Sequence, residues 1–365
     1  MIKNDYLNLE KFNRVFLILL IFFGILLVSS ASALESQRLY GSSFYMVRNH
    51  IISILIGGFL YFFIKSFIKF EFLLSNLKYL SIGMVGILFI LFSYGETIFG
   101  SNRWLDLGVI RFQPSEFAKP LVFLWVAKEV SEFDKNHPLA KQLLKIAFIP
   151  ALITLLILFQ PDFGTAATIV FVVLMQLFVS RIKLIVPIIS SVISFLLGYQ
   201  ILLSQGYRSK RFQVWIEGVC DRGEELLGAC YQVHQSRIAI SSGGLLGLGP
   251  GTSRSRWGSL PSSYSDFISA IIGEEYGFIG YIIFLIILLT FIFTLYLMGV
   301  NKDNEVKKVF IFGLASWILV QSVLNLGATV YLLPVTGIVL PFISYGGSSM
   351  ASLFISLGII KMRHE

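Results

Sequence analysis

The chain has 365 residues, of which 56% are hydrophobic and only 14% charged, with a mean hydropathy of +0.79. So few charges exclude a water-soluble globular protein of this length, and lipid is the solvent for most of the chain. The net charge of +8 is concentrated in short segments between apolar runs, which fits anionic lipid headgroups rather than nucleic acid.

The charge-free runs, in chain order, are 15–34, 49–64, 79–95, 146–161, 163–180, 184–207, 276–301 and 309–360. A crossing of roughly 30 Å takes about 20 helical residues, so the last run is too long for one helix. Leu333-Pro334 and Pro341 divide it in two, because neither proline donates to a helix ladder. A shorter apolar segment, 117–131, adds a further crossing. These readings predict an all-α polytopic membrane protein of about ten transmembrane helices. The chain reads as a single domain, 1–365, with one long extracytoplasmic loop, 204–264, between the seventh and eighth crossings. Ala31-Ser32-Ala33 resembles a signal-peptidase site, but its apolar run exceeds a signal core of about 7–15 residues. We therefore expect the first helix to be retained.

Segments read as inner hold 17 of the 29 Lys and Arg, from Lys3 and Lys11 to Lys361 and Arg363. Short outer segments hold Arg38, Arg48, Arg103, Arg111 and Lys119. Long loops are largely exempt from the positive-inside bias, so both termini are predicted to be cytoplasmic. Cys220 and Cys230, the only two cysteines, fall in the long outer loop. An oxidising compartment lets them pair, and two unpaired thiols are the alternative. The four histidines, His50 among them, are scattered and read as surface or interfacial.

The second outer loop, 95–118, carries Arg103 and Trp104, and then Gln113-Pro114-Ser115-Glu116. Pro114 suits a first helical turn, and Glu116 with Lys119 shares a helix face. An interfacial aromatic belt with a helix-start ion pair explains this pattern. Arg103 and Lys119 addressing an anionic headgroup explain it equally. Gln160-Pro161-Asp162-Phe163-Gly164-Thr165 reads as a tight turn.

The long loop carries Arg211, Arg254 and Arg256 among interleaved aromatic residues, which suits sugar stacking with diphosphate binding or an amphipathic stretch at the headgroups. Its Gly243-Gly244 and Gly247-Leu248-Gly249 amides offer close approach to phosphate. Asp266 stands where this loop meets a long apolar helix, and an acid at such a margin usually belongs to a working cavity. Gly273, Gly277 and Gly280 form a small-residue packing face. Of Glu274 and Glu275, one is expected to face the Asp266 cavity and the other to pair with a cation or cap backbone. Gln321 and Asn325 are placed to bond to the segment Pro341 to Ser349, where Ser344 lies.

Several of these stretches, in this order, resemble the shape, elongation, division and sporulation (SEDS) family of the RodA, FtsW and SpoVE type. They are Gly100-Ser-Asn-Arg103-Trp104, Gln113 to Lys119, Gln160 to Thr165, Ile240 to Gly244, Asp266 to Glu275 and Leu340 to Ser349. The resemblance spans residues from about 10 to 361. It implies a multi-pass peptidoglycan glycosyltransferase of the bacterial cytoplasmic (inner) membrane, active on the extracytoplasmic side. Such an enzyme polymerises lipid II into β-1,4-linked glycan and releases undecaprenyl diphosphate. The family's essential aspartate falls on Asp266, and its Trp and Glu–Lys pair fall on Trp104, Glu116 and Lys119.

The resemblance further implies a class B penicillin-binding protein transpeptidase as partner, within the elongation or division machinery. No covalently bound cofactor is implied, while a divalent cation (Mg or Mn) is compatible with an acid facing a diphosphate. Leu260-Pro261-Ser-Ser-Tyr-Ser265 departs from the usual Leu-Pro-Glu-x-x-Thr, and Ser269 replaces an aromatic. A lipid II flippase (transporter) and a non-catalytic scaffold also suit polar groups in membrane helices. Reactive groups gathered at one margin, with the last two helices free of charge, weigh against a path through the bilayer.

Overall fold

In hydrocarbon every backbone polar group needs an internal partner, so apolar runs of this length coil into helices. A computed structural model of the chain describes residues 2–94, 96–98, 101–106, 111–134, 137–204, 212–222, 228 and 230–362. Its helices are α1 (Ile2–Tyr40), α2 (Tyr45–Phe67), α3 (Phe70–Tyr94), α4 (Pro114–Ser131), α5 (Leu139–Phe159) and α6 (Phe163–Val179). They continue with α7 (Ile185–Ser204), α8 (Tyr231–Ser242), α9 (Ile268–Val300), α10 (Glu305–Thr329) and α11 (Gly347–Lys361).

Among the described residues, 6 helices are long and apolar enough to cross a membrane: α1, α2, α3, α5, α9 and α10. The helices α6, α7 and α11 are apolar but shorter. Helix α4 carries Glu116, Lys119, Lys128 and Glu129 along its 18 residues. The polytopic helical class holds, while length and composition alone do not establish ten crossings.

Helix α1 packs between α2 and α9, α11 lies on α2, and α10 touches α4, α6 and α9. Antiparallel packing of α1 on α9 is pinned at both ends. Asn13 Nδ2 donates to Phe291 O at 3.1 Å and to Thr294 Oγ1 at 2.7 Å. At the far end the Ser30 hydroxyl donates to Glu275 Oε1. Ala31, inside the signal-like tripeptide, is 1% exposed, so this stretch is packed bundle interior.

Three features depart from the sequence expectations. The second outer loop holds a small antiparallel sheet of β1 (Glu96–Ile98), β2 (Ser101–Asp106) and β3 (Arg111–Phe112), in the order β1-β2-β3. Helix α9 is broken at Gly277 (φ 66°, ψ −167°), where a side chain would be strained. The long loop is ordered over much of its length by α8 and a 3-10 turn at Ser255–Trp257. Cys220 and Cys230 form a disulfide, packed with Val214, Val219, Val233 and Tyr331.

The break predicted from Pro334 and Pro341 is present, and it is longer than a turn. Residues 330–346 are non-helical, yet Leu340, Phe342 and Ile343 are at most 1% exposed. Phe342 O crosses α1 so closely that a Cβ at Gly24 would lie 2.7 Å from it. Non-helical backbone at membrane depth is tolerated only where protein buries it and satisfies its polar groups. Gln321 Nε2 donates to Val339 O at 2.9 Å and Asn325 Nδ2 to Ile338 O at 2.7 Å, just before the segment Pro341 to Ser349 to which the sequence assigned them.

Candidate active site

The turn before α9 is tied to this buried segment by two bonds and to α10 by a third. Asn325 Nδ2 also donates to Asp266 O at 2.8 Å. Ser344 Oγ donates to Ser265 O at 2.6 Å and accepts from Leu340 N at 2.8 Å. Tyr345 N donates to Tyr264 O at 3.0 Å. Asp266 is thereby fixed through its backbone, and its half-buried side chain lies over Gly337, whose Cβ, if present, would sit 3.7 Å from Oδ2. Ser344 was expected against substrate. Its hydroxyl instead spends its bonds on the protein, holding the acid's turn.

Tyr264 reports the electrostatics of this spot. Burial, then the carboxylates of Glu35 and Asp266, push its phenol up to about 12. Like any tyrosine hydroxyl it is protonated at neutral pH and available as a donor, and its surroundings disfavour the phenolate further. Tyr264 also meets the Tyr345 ring edge-on at 5.9 Å. Glu35, at the Asp266 end of α1, shares the surroundings of Tyr264 and was passed over by sequence reasoning, although a lone acid ending the first apolar run was its signal.

Arginines stand on the loop before α9 and on β2. On the loop, Glu274 caps the turn that carries Arg254: Oε1 accepts from Arg254 N at 2.9 Å, and Oε2 accepts from Ser253 Oγ at 2.6 Å. Arg254 is exposed, and Arg38 reaches the same loop at Gly258, its Nη1 3.2 Å from where a Gly258 Cβ would stand. Arg38 was counted from the sequence only as an outer charge. Arg256 belongs to the same 3-10 turn, but its side chain lies outside the described residues, as does the whole of Arg211. Glu274 and Glu275 answer to a backbone turn and to Ser30, and among the described residues neither has a recorded bond to a cation.

On β2, Arg103 Nη1 lies 3.4 Å from Asp162 Oδ1, next to half-buried Trp104. Asp162 also accepts from Thr165 N at 3.1 Å, capping α6, and from Gln113 Nε2 at 3.3 Å. The stretch 160–165 is thus a hub joining β2, α4 and α6. It reaches the central segment too, since a Cβ at Gly164 would lie 2.9 Å from Ile338. Lys119 Nζ bonds Glu116 Oε1 at 2.7 Å and sits 5.1 Å from the Trp317 ring centre, with both ionic side chains buried. That buried pair is poorly placed to meet a headgroup directly.

Polar atoms with no hydrogen-bond partner among the described residues surround this segment: Ser115 Oγ, Glu116 Oε2, Ser349 Oγ and both ring nitrogens of His50. Buried polar groups are rarely left unpaired without a functional reason. His50 is 1% exposed, against the interfacial position expected, and its ring faces Tyr345 at 6.2 Å. The glycine amides expected to cradle phosphate are committed elsewhere. Leu248 N and Gly249 N donate to Glu274 O and Glu275 O at 2.9 and 3.0 Å.

The family model described as cell cycle protein, of the FtsW, RodA and SpoVE group, matches residues 11–365. The chain belongs to this family. It is 33% identical to the probable peptidoglycan glycosyltransferase FtsW of Wigglesworthia glossinidia brevipalpis, covering 98% of this chain and 94% of the relative. It is 31% identical to the stage V sporulation protein E of Bacillus subtilis (strain 168), over 94% of this chain and 93% of that one.

Among solved structures, a chain from a peptidoglycan synthase complex superposes with TM-score 0.75 at 23% identity, covering 96% of both chains. The rod shape determining protein RodA of Thermus thermophilus superposes with TM-score 0.65 at 24% identity, over 95% of this chain and 94% of that one. These likenesses establish the shared fold of a multi-pass membrane protein.

Proposed function

We propose that the chain is a peptidoglycan glycosyltransferase that polymerises lipid II at Asp266, in the cytoplasmic membrane and on its extracytoplasmic side. The observation that carries this reading is the placement of Asp266. A carboxylate fixed through its backbone stands near the Tyr264 phenol and over Gly337, in a turn tied to the buried segment that precedes the last helix. Family membership and full-length similarity to a probable peptidoglycan glycosyltransferase support it.

In this mechanism Asp266 takes the proton from the 4-hydroxyl of the acceptor sugar as that oxygen attacks the donor's anomeric carbon. The bond to the lipid diphosphate breaks on the opposite face, so an α-linked donor gives a β-1,4 link in one inverting step. Arg254 and Arg38 neutralise the departing diphosphate, and Tyr264 donates a hydrogen bond to it. The hub of Arg103, Asp162 and Gln113 and the buried Glu116–Lys119 pair set the shape of the wall that receives the headgroup.

Among the described residues no three His, Cys, Asp or Glu side chains gather as a metal site. A magnesium-type ion commonly takes one or two protein carboxylates, with phosphate oxygens and water completing its shell. Asp266 and Glu35 fit that donor set, and Mg or Mn there would add charge neutralisation for the diphosphate. The ten-crossing topology with both termini cytoplasmic, and a class B penicillin-binding protein as cross-linking partner, belong to the same reading.

The test is product analysis after purified chain, its transpeptidase and lipid II are combined in lipid nanodiscs. Glycan strands resolved on a gel, with release of undecaprenyl diphosphate, are expected. Lipid II moved between leaflets of proteoliposomes without polymer would replace the enzyme by a flippase.

A further inference from the structure

The stretch from Ile238 to Ser253 contains no charged residue, and at its centre Leu245 and Leu246 are 69% and 79% exposed. Two adjacent leucines bared at a turn tip call for an apolar surrounding. Their backbone shows how they are held. Phe278 N donates to Gly244 O at 2.9 Å and Ile279 N to Leu245 O at 3.1 Å, while Leu248 N and Gly249 N return bonds to Glu274 O and Glu275 O. The tip is stitched into the break of α9 at Gly277, so the groups that the break frees and the groups of the tip satisfy one another. That exchange lets a non-helical segment enter an apolar medium.

Depth follows from α9 itself. Residues 278–300 rise about 34 Å at about 1.5 Å each, close to a hydrocarbon core of roughly 30 Å. Lys302 and Asp303 mark the far boundary, so Gly277 stands at the near one. Phe278, Ile279 and Ile283, exposed at 62%, 48% and 54%, continue the surface of the leucines down this membrane helix. Arg254, the next charge after Arg237, is exposed at the end of the uncharged stretch.

We infer that the Leu245–Leu246 tip inserts into the lipid leaflet at the Asp266 end of the bundle, resting among acyl chains just below the headgroups. It anchors the long loop to the bilayer and sets the depth of the α9 break independently of any reaction at Asp266.

Both cysteines are in the disulfide, so a single new cysteine can be labelled. Leu246→Cys and Leu245→Cys, each carrying an NBD fluorophore, are compared with Glu217→Cys in full-length protein in phosphatidylcholine–phosphatidylglycerol nanodiscs. Quenching by doxyl-labelled phospholipids is expected at 245 and 246, at a depth of about 5–10 Å as for interfacial segments, and not at 217. Quenching at 245 and 246 no stronger than at 217 would overturn the inference. So would shielding of these probes only after a second protein chain is added, which would make the tip a protein contact.

Discussion

Tyr264 and Asp266 form the smallest unit on which the chemistry rests. The phenol is raised to about 12 by burial and by the carboxylates of Glu35 and Asp266. The sign is direct: removing a negative neighbour makes the phenolate easier to form, so Asp266→Asn should lower the Tyr264 titration point in an absorbance titration. Tyr264→Phe should slow polymerisation roughly three- to tenfold, the equivalent of one hydrogen bond of about 1 kcal/mol. Asp266 was legible in the sequence because an acid at the mouth of an apolar helix is costly. Glu35 and Arg38 were not, because nothing in linear order shows that the end of α1 packs beside residues 258–266. Ser344 had the right place and the wrong task, since a hydroxyl in a charge-free stretch reads the same whether it meets substrate or backbone.

Among the elements, the prolines at 334 and 341 announced a broken helix, while Gln321 and Asn325 satisfy Val339 and Ile338, ahead of the stretch the sequence assigned to them. Gly277 could not be read so easily. A glycine every three or four residues signals close packing whether the helix continues or stops, and only the φ of 66° separates the two. Gly277→Ala should destabilise the fold by about 1–3 kcal/mol, seen as a lower thermal midpoint in detergent. A Cβ there would lie 2.3 Å from Gly247 N, so the stitched tip should loosen as well. The sheet of β1 to β3 escaped detection because its strands are short, polar and embedded in a motif that reads as loop. The turn read over 160–165 is confined to 160–162, with α6 beginning at Phe163, and its bonds to Arg103 and Gln113 depend on tertiary packing.

For the whole molecule, composition and charge-free runs yield the membrane class and the order of helices directly, since a bilayer admits few alternatives. The motifs in order yield the family. What linear order withholds is convergence. The non-helical segment 330–346 meets Gly164 at the start of α6 through Ile338 and carries Gly337 beneath Asp266. On the proposed mechanism one side chain, Asp266, answers for the reaction while others hold its turn in place. The decisive measurement is glycan synthesis from lipid II by purified Asp266→Asn protein in complex with its transpeptidase. Normal insertion and assembly with a polymerisation rate reduced roughly 10²–10⁴-fold is the predicted result, and glycan formation at the unaltered protein's rate would contradict it.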